Sequence, residues 1–125
     1  MSAPVRYFAL ASTTIVVGLL VNRGAISVSE RVRDPLGDAL WAVMMMWMVS
    51  AAVPRQPLRT RAALALAISF GVEFSQLVRI PALDSLRATL PGHLVLGSGF
   101  DPRDLVAYAG GIVAAALLDP WAARN

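Results

Sequence analysis

The chain has no cysteine, which excludes a disulfide framework, a thiolate metal site and a cysteine nucleophile together. It has no lysine either, so apart from His93 every basic side chain is an arginine. Charged residues make up only 15% of the 125 positions. The arginines are scattered at the ends of apolar segments, and no basic face carries interleaved aromatics. A nucleic-acid surface is therefore excluded despite a net charge of +3 and a pI near 10.6. Internal repeats and low-complexity tracts are absent. His93 stands alone, and Met44, Met45, Met46 and Met48 have no His or Cys beside them, so no metal is expected. Gly97 and Gly99 lack a P-loop lysine, and no nucleotide or other cofactor is expected.

What the chain does have is apolar surface. Hydrophobic residues are 57% of the total and the mean hydropathy is +0.62, which reads as a single integral membrane domain over residues 1–125. Four apolar segments, 7–21, 39–54, 62–80 and 105–118, predict an all-α integral membrane four-helix bundle. A longer Pro- and Gly-containing loop, 81–101, separates helices three and four, with Leu94, Val95 and Leu96 expected at the membrane surface. Segments of ~14 to 19 residues make helices of roughly 21 to 28 Å, short for a hydrocarbon core of about 30 Å, so flanking arginines are expected to snorkel. Arg6 precedes the first run and Arg23 follows it without a small-x-small cleavage site, which predicts an uncleaved helix. Trp41 and Trp121 near segment ends fit an interfacial belt. The loop carrying Arg55, Arg59 and Arg61 has no acid and predicts a cytoplasmic face, with both termini on that side and Arg124 among its charges.

Against this background Glu73 and Gln76 stand out, because a carboxylate near the middle of a membrane helix costs on the order of 3 kcal/mol. Helix direction puts the start of helix two, the end of helix three and the start of helix four on one side. Asp38, Glu73 with Gln76, and Asp101 with Asp104 should therefore converge. Asp38 and Asp104 also read as acids at helix N-termini, where they complement the dipole. Ser69, Glu73 and Gln76 share one stripe, whereas Arg79 points away from it. The partners expected for Glu73 are therefore a loop arginine, Arg33 or Arg87, and the Tyr108 hydroxyl. Ala107, Gly111 and Ala115 form a small-residue row permitting close helix approach. Interhelical glue is the structural alternative to a ligand or proton site for Glu73 and Gln76.

Three stretches carry a family resemblance: Arg33 to Asp38, Val72 to Leu77, and Leu96 to Gly111. In this order they resemble the family of small bacterial membrane proteins called domain of unknown function 2809, itself similar to VanZ-like proteins. Glu73 with Gln76 resembles the Glu-x-x-Gln pair of the latter, and Phe100, Asp101 and Asp104 their Phe-Asp-x-x-Asp element. The chain departs from them at Ser98 and Tyr108, and in lacking a histidine near Asp38. The resemblance implies a multi-pass protein of the bacterial cytoplasmic membrane in the cell envelope.

The expected activity is non-enzymatic: binding of an anionic envelope lipid or other amphiphile in a polar pocket near one membrane face. Glu73 would be its buried centre, oriented by Gln76 and Tyr108, with Arg87 or Arg33 pairing with it or holding a phosphate, and Asp38 and Asp104 at the mouth. The alternatives are a proton-coupled transporter using Glu73, an accessory subunit, or a Mg²⁺-dependent lipid-diphosphate enzyme using Asp38, Asp101 and Asp104. Expected partners are a membrane lipid and, through the Gly111 row, a second copy or a larger membrane complex.

Overall fold

The computed structural model describes residues 2–96 and 100–122, and among these every regular element is helical. Four long helices, α1 (Ala3–Asn22), α2 (Glu30–Ala52), α3 (Leu58–Ser75) and α6 (Pro102–Ala122), surround the core, and two short ones, α4 (Pro81–Ala88) and α5 (Leu90–Leu96), join α3 to α6. Gly97, Ser98, Gly99 and Arg124 lie outside the described residues, as do the side chains of Leu94, Val95, Leu96 and Trp121.

The helix ends depart from the sequence expectation, each for a local reason. Pro4 opens α1, where a missing N–H costs nothing, and Gly24, at φ 79°, reverses the chain after it in the left-handed region that other residues enter at a cost. Helix α2 starts at Glu30 rather than at Ala39. Ser29 is extended before it, Glu30 favours the positive end of the dipole, and Pro35 comes early enough that its lost bond does not break the helix. Asp38 therefore lies in the body of α2, and its reading as an N-terminal residue is wrong. Helix α3 stops at Ser75 rather than at Ile80: Pro81 biases Ile80 to an extended conformation, and the buried Arg87 donates to the carbonyls of Ser75 at 2.7 Å and Val78 at 3.1 Å. The expected loop 81–101 is mostly helical, since it contains α4 and α5.

Helix α2 packs against α1, α3 and α6, and the core is Tyr7, Ala11, Ala42, Met46, Trp47, Val49, Ala65, Tyr108, Ile112 and Ala115. A Cβ on Gly111 would overlap the carbonyl oxygen of Ala39, so this glycine sets the close approach of α6 to α2. The small-residue row is thus used inside the chain, between its own helices.

The outside is as informative as the core. Val5, Phe8, Ile15 and Val16 on α1, Met48 on α2, Leu64 and Ile68 on α3, and Val106, Val113, Leu117 and Leu118 on α6 are all exposed. Among the described residues two helices, Ala3–Asn22 and Glu30–Ala52, are long and apolar enough to cross a membrane. Polar residues are instead buried at two levels inside the bundle.

Candidate functional site

The first level lies where α2 begins, α3 ends and α6 begins, the side on which the acids were expected to converge. Glu73 has no exposed surface. Its Oε1 accepts from the backbone N–H of Asp101 at 2.7 Å and its Oε2 from the Tyr108 hydroxyl at 2.9 Å. Asp104, in the first turn of α6, is an electrostatic neighbour of both Asp38 and Glu73. Three carboxyl groups from three helices thus meet.

Asp101 has a different task. Its Oδ1 accepts the backbone N–H of Arg103 at 2.9 Å, which caps α6, and the Arg103 guanidinium clamps both carboxylate oxygens at 3.1 and 3.2 Å. The Arg103 side chain and this backbone bond hold the Asp101 carboxyl below the usual aspartate range.

Beside the cluster opens a cavity of about 1090 Å³. Asp38, Asp104, Gln76, Tyr108, Asp101 and Arg33 all line it. Thr14, Ile15, Gly18 and Leu19 of α1 and Leu40 and Met44 of α2 make the more apolar part of its lining. Glu30, Asp34, Arg31 and Arg103 stand at its charged rim with His93 of α5. Trp41 lines it too, its ring 5.5 Å from that of Tyr108. Two N–H groups here, Nε of Arg33 and Nε1 of Trp41, are buried and make no hydrogen bond among the described residues. Unmade bonds of this kind cost about 1–3 kcal/mol each, and neither atom has surface that a molecule in the cavity reaches.

Two site expectations need correction. Arg87 does not pair with Glu73: it is buried under α3, where its guanidinium bonds the carbonyls of Ser75 and Val78 and the carboxylate of Asp84. The uncapped end of α3 provides acceptors closer than any carboxylate of the cluster. Glu73 is not among the residues lining the cavity but lies behind its wall, holding Asp101 and Tyr108 in place. Arg79 pairs with the exposed Asp84 at 3.6 Å.

The second polar level lies at the opposite end of the bundle. Arg61 of α3 and Asp119 of α6 form a bidentate pair with contacts of 2.8 and 3.0 Å, both side chains being 7% exposed. The Tyr7 hydroxyl of α1 donates to Asp119 at 2.7 Å, and Arg61 donates to Ser50 of α2 at 2.9 Å and to the Gln56 carbonyl at 2.9 Å. Each of the four long helices contributes one residue to this clasp. Arg61 was expected in a solvated basic loop, and Tyr7, Ser50 and Asp119 carried no expectation. An acid ending one apolar run and an arginine starting another, on helices that run in opposite directions, was the available signal.

The family model described as "Protein of unknown function (DUF2809)" matches residues 28–112, about two thirds of the chain. The chain belongs to this family. The matched stretch contains Asp38, Glu73, Gln76, Asp101, Asp104 and Tyr108, the whole acidic level, together with Arg33 and Trp41. Tyr7 and Asp119 of the clasp fall outside it. No solved structure matches the chain.

Proposed function

We propose that this chain is a four-span membrane protein whose cavity holds the head of an amphiphile. The exposed apolar side chains on all four long helices suit contact with lipid tails, and charge is confined to the two internal levels, the helix ends and the connections. Arg55 in the connection between α2 and α3 and Arg59 in the first turn of α3 are exposed, so the positive-inside rule assigns that side and both termini to the cytoplasm. The cavity then opens toward the outer leaflet.

The observation that carries this reading is the cavity's mixed lining, with apolar residues from α1 and α2 and polar ones from α2, α3 and α6. An amphiphile satisfies both at once, whereas a small hydrophilic solute would leave the apolar part dry. Glu73 supports the site without touching the ligand, by fixing Tyr108 and the entry to α6.

Gly18 and Gly37 line the cavity, and a Cβ at either meets nothing within 4 Å. Gly37→Phe therefore fills the cavity without a backbone clash. Native mass spectrometry of the purified protein should show lipid adducts on the wild type and their loss in Gly37→Phe. Adducts unchanged by this substitution would remove the cavity as the binding site.

A further inference from the structure

Resting on the reading of the cavity as an amphiphile site, we infer that the cavity opens sideways to the bilayer between α1 and α6, so that the ligand enters from the membrane and its acyl tail lies in this seam. The helix packing leaves that gap. Helix α2 packs against α1, α3 and α6, and α3 packs against α6, whereas α1, among the described residues, packs along α2 alone. Helices α1 and α6 thus flank α2 without packing along each other. At the clasp they are tied by the Tyr7 hydroxyl, which donates to Asp119 at 2.7 Å. The cavity starts well away from this tie, ~10.5 Å along α1 at Thr14 and ~16.5 Å along α6 at Tyr108. Both helices line it together with α2, so α1 and α6 are its walls and α2 its floor.

The lining changes with depth. On α2, Glu30, Arg31 and Asp34 stand in the first turns, whereas Leu40 and Met44 lie further in, Met44 ~21 Å along the axis from Glu30. On α1 it runs from Asn22 at the helix end inward to Leu19 and Ile15. A head at the rim and a tail pointing inward fit this order. At that depth a gap between two helices that span a hydrocarbon core of about 30 Å faces lipid tails rather than water. Its flanks suit them: Ile15, which also lines the cavity, and Val16 on α1, and Val106 and Val113 on α6, are exposed. A tail in the seam therefore never leaves apolar surroundings, whereas a tail entering through the rim would pass its charged side chains.

Because the chain has no cysteine, one nitroxide label can be placed at a time. The test is electron paramagnetic resonance of the full chain in phospholipid vesicles, with the label at Met44→Cys or, separately, at Thr14→Cys, and Phe8→Cys as the lipid-facing reference. Oxygen, which concentrates in hydrocarbon, should collide with the labels at 44 and 14 as often as with the one at 8, and a water-soluble nickel chelate should reach none of the three. The second position covers a fold perturbed at the first, and circular dichroism reports folding for both. Labels reached by the chelate rather than by oxygen would mean a cavity open to water, and labels reached by neither a closed seam; each overturns the inference. Lipid adducts on the wild type that Gly37→Phe abolishes would in either case leave the amphiphile cavity standing. A wild type without lipid adducts overturns both.

Discussion

At one end of the bundle Arg61 and Asp119 neutralise each other, and Tyr7, Ser50 and the Gln56 carbonyl complete their hydrogen bonds. At the other end Asp38, Glu73 and Asp104 crowd three carboxyls together beside a cavity, with donors on Arg33 and Trp41 left over. Arg61 to Glu73 on α3, and Ser50 to Asp38 on α2, both span ~18 Å of helix, so the two levels are stacked. The layer between them includes Ala42, Met46, Ala65, Ile112 and Ala115, all buried. Both levels bury polar groups, and only one is complete. A cluster that satisfies itself holds helices together, whereas one whose acids line a cavity is suited to meet something else.

Breaking the complete level should cost the most. Arg61→Ala leaves Asp119 buried without its cation and should destabilise the fold by about 3–5 kcal/mol, read from unfolding in micelles. The double change Arg61→Leu with Asp119→Leu should recover most of that loss, because no lone charge remains. A double variant as unstable as the single one would mean that the pair acts through something other than its charge.

Next comes the contact that sets α6 against α2. Gly111→Ala should destabilise by about 1–3 kcal/mol, because the new methyl overlaps the Ala39 carbonyl and the helices must part. It should also disturb the cavity, which lies between these helices. At the incomplete level Glu73→Ala, which orphans the Asp101 N–H and the Tyr108 hydroxyl, should cost about 1–3 kcal/mol. Glu73→Gln can accept from one of these groups and donate to the other, and should cost less than half as much on the same unfolding assay.

The smallest effect concerns Asp101. Its folded carboxyl is held below the ordinary 3.8, so the cap and the Arg103 pair contribute stability above that value, lost as pH falls through the lower folded value. Stability of the wild type should therefore decline across that acidic window more than that of Asp101→Asn. Parallel pH profiles would show that the cap does not depend on ionisation.

Much of the incomplete level was legible in the sequence. Helix direction alone brought Asp38, Gln76, Asp101 and Asp104 to one side, and a 3.6-residue period turned Glu73 toward Tyr108. Arg87 was misassigned because its acceptors are backbone carbonyls freed where α3 ends early, and side-chain patterns do not report those. The start of α2 was misplaced because the apolar run begins only at Ala39, and the polar turns of helix before it, with Pro35 inside them, carry no apolar signal. The clasp went unread because Arg61 looked like a loop charge. Its burial depends on Asp119, 58 positions away, and only tertiary packing joins the two.

Lipid retention measured together with unfolding, for the wild type, Gly37→Phe and the double change Arg61→Leu with Asp119→Leu, tests the division between the two levels most directly. Gly37→Phe should lose its lipid adducts at unchanged or higher stability, and the clasp variant should keep its adducts. Adducts retained by Gly37→Phe, or lost from a folded clasp variant, would contradict the assignment of binding to the incomplete level.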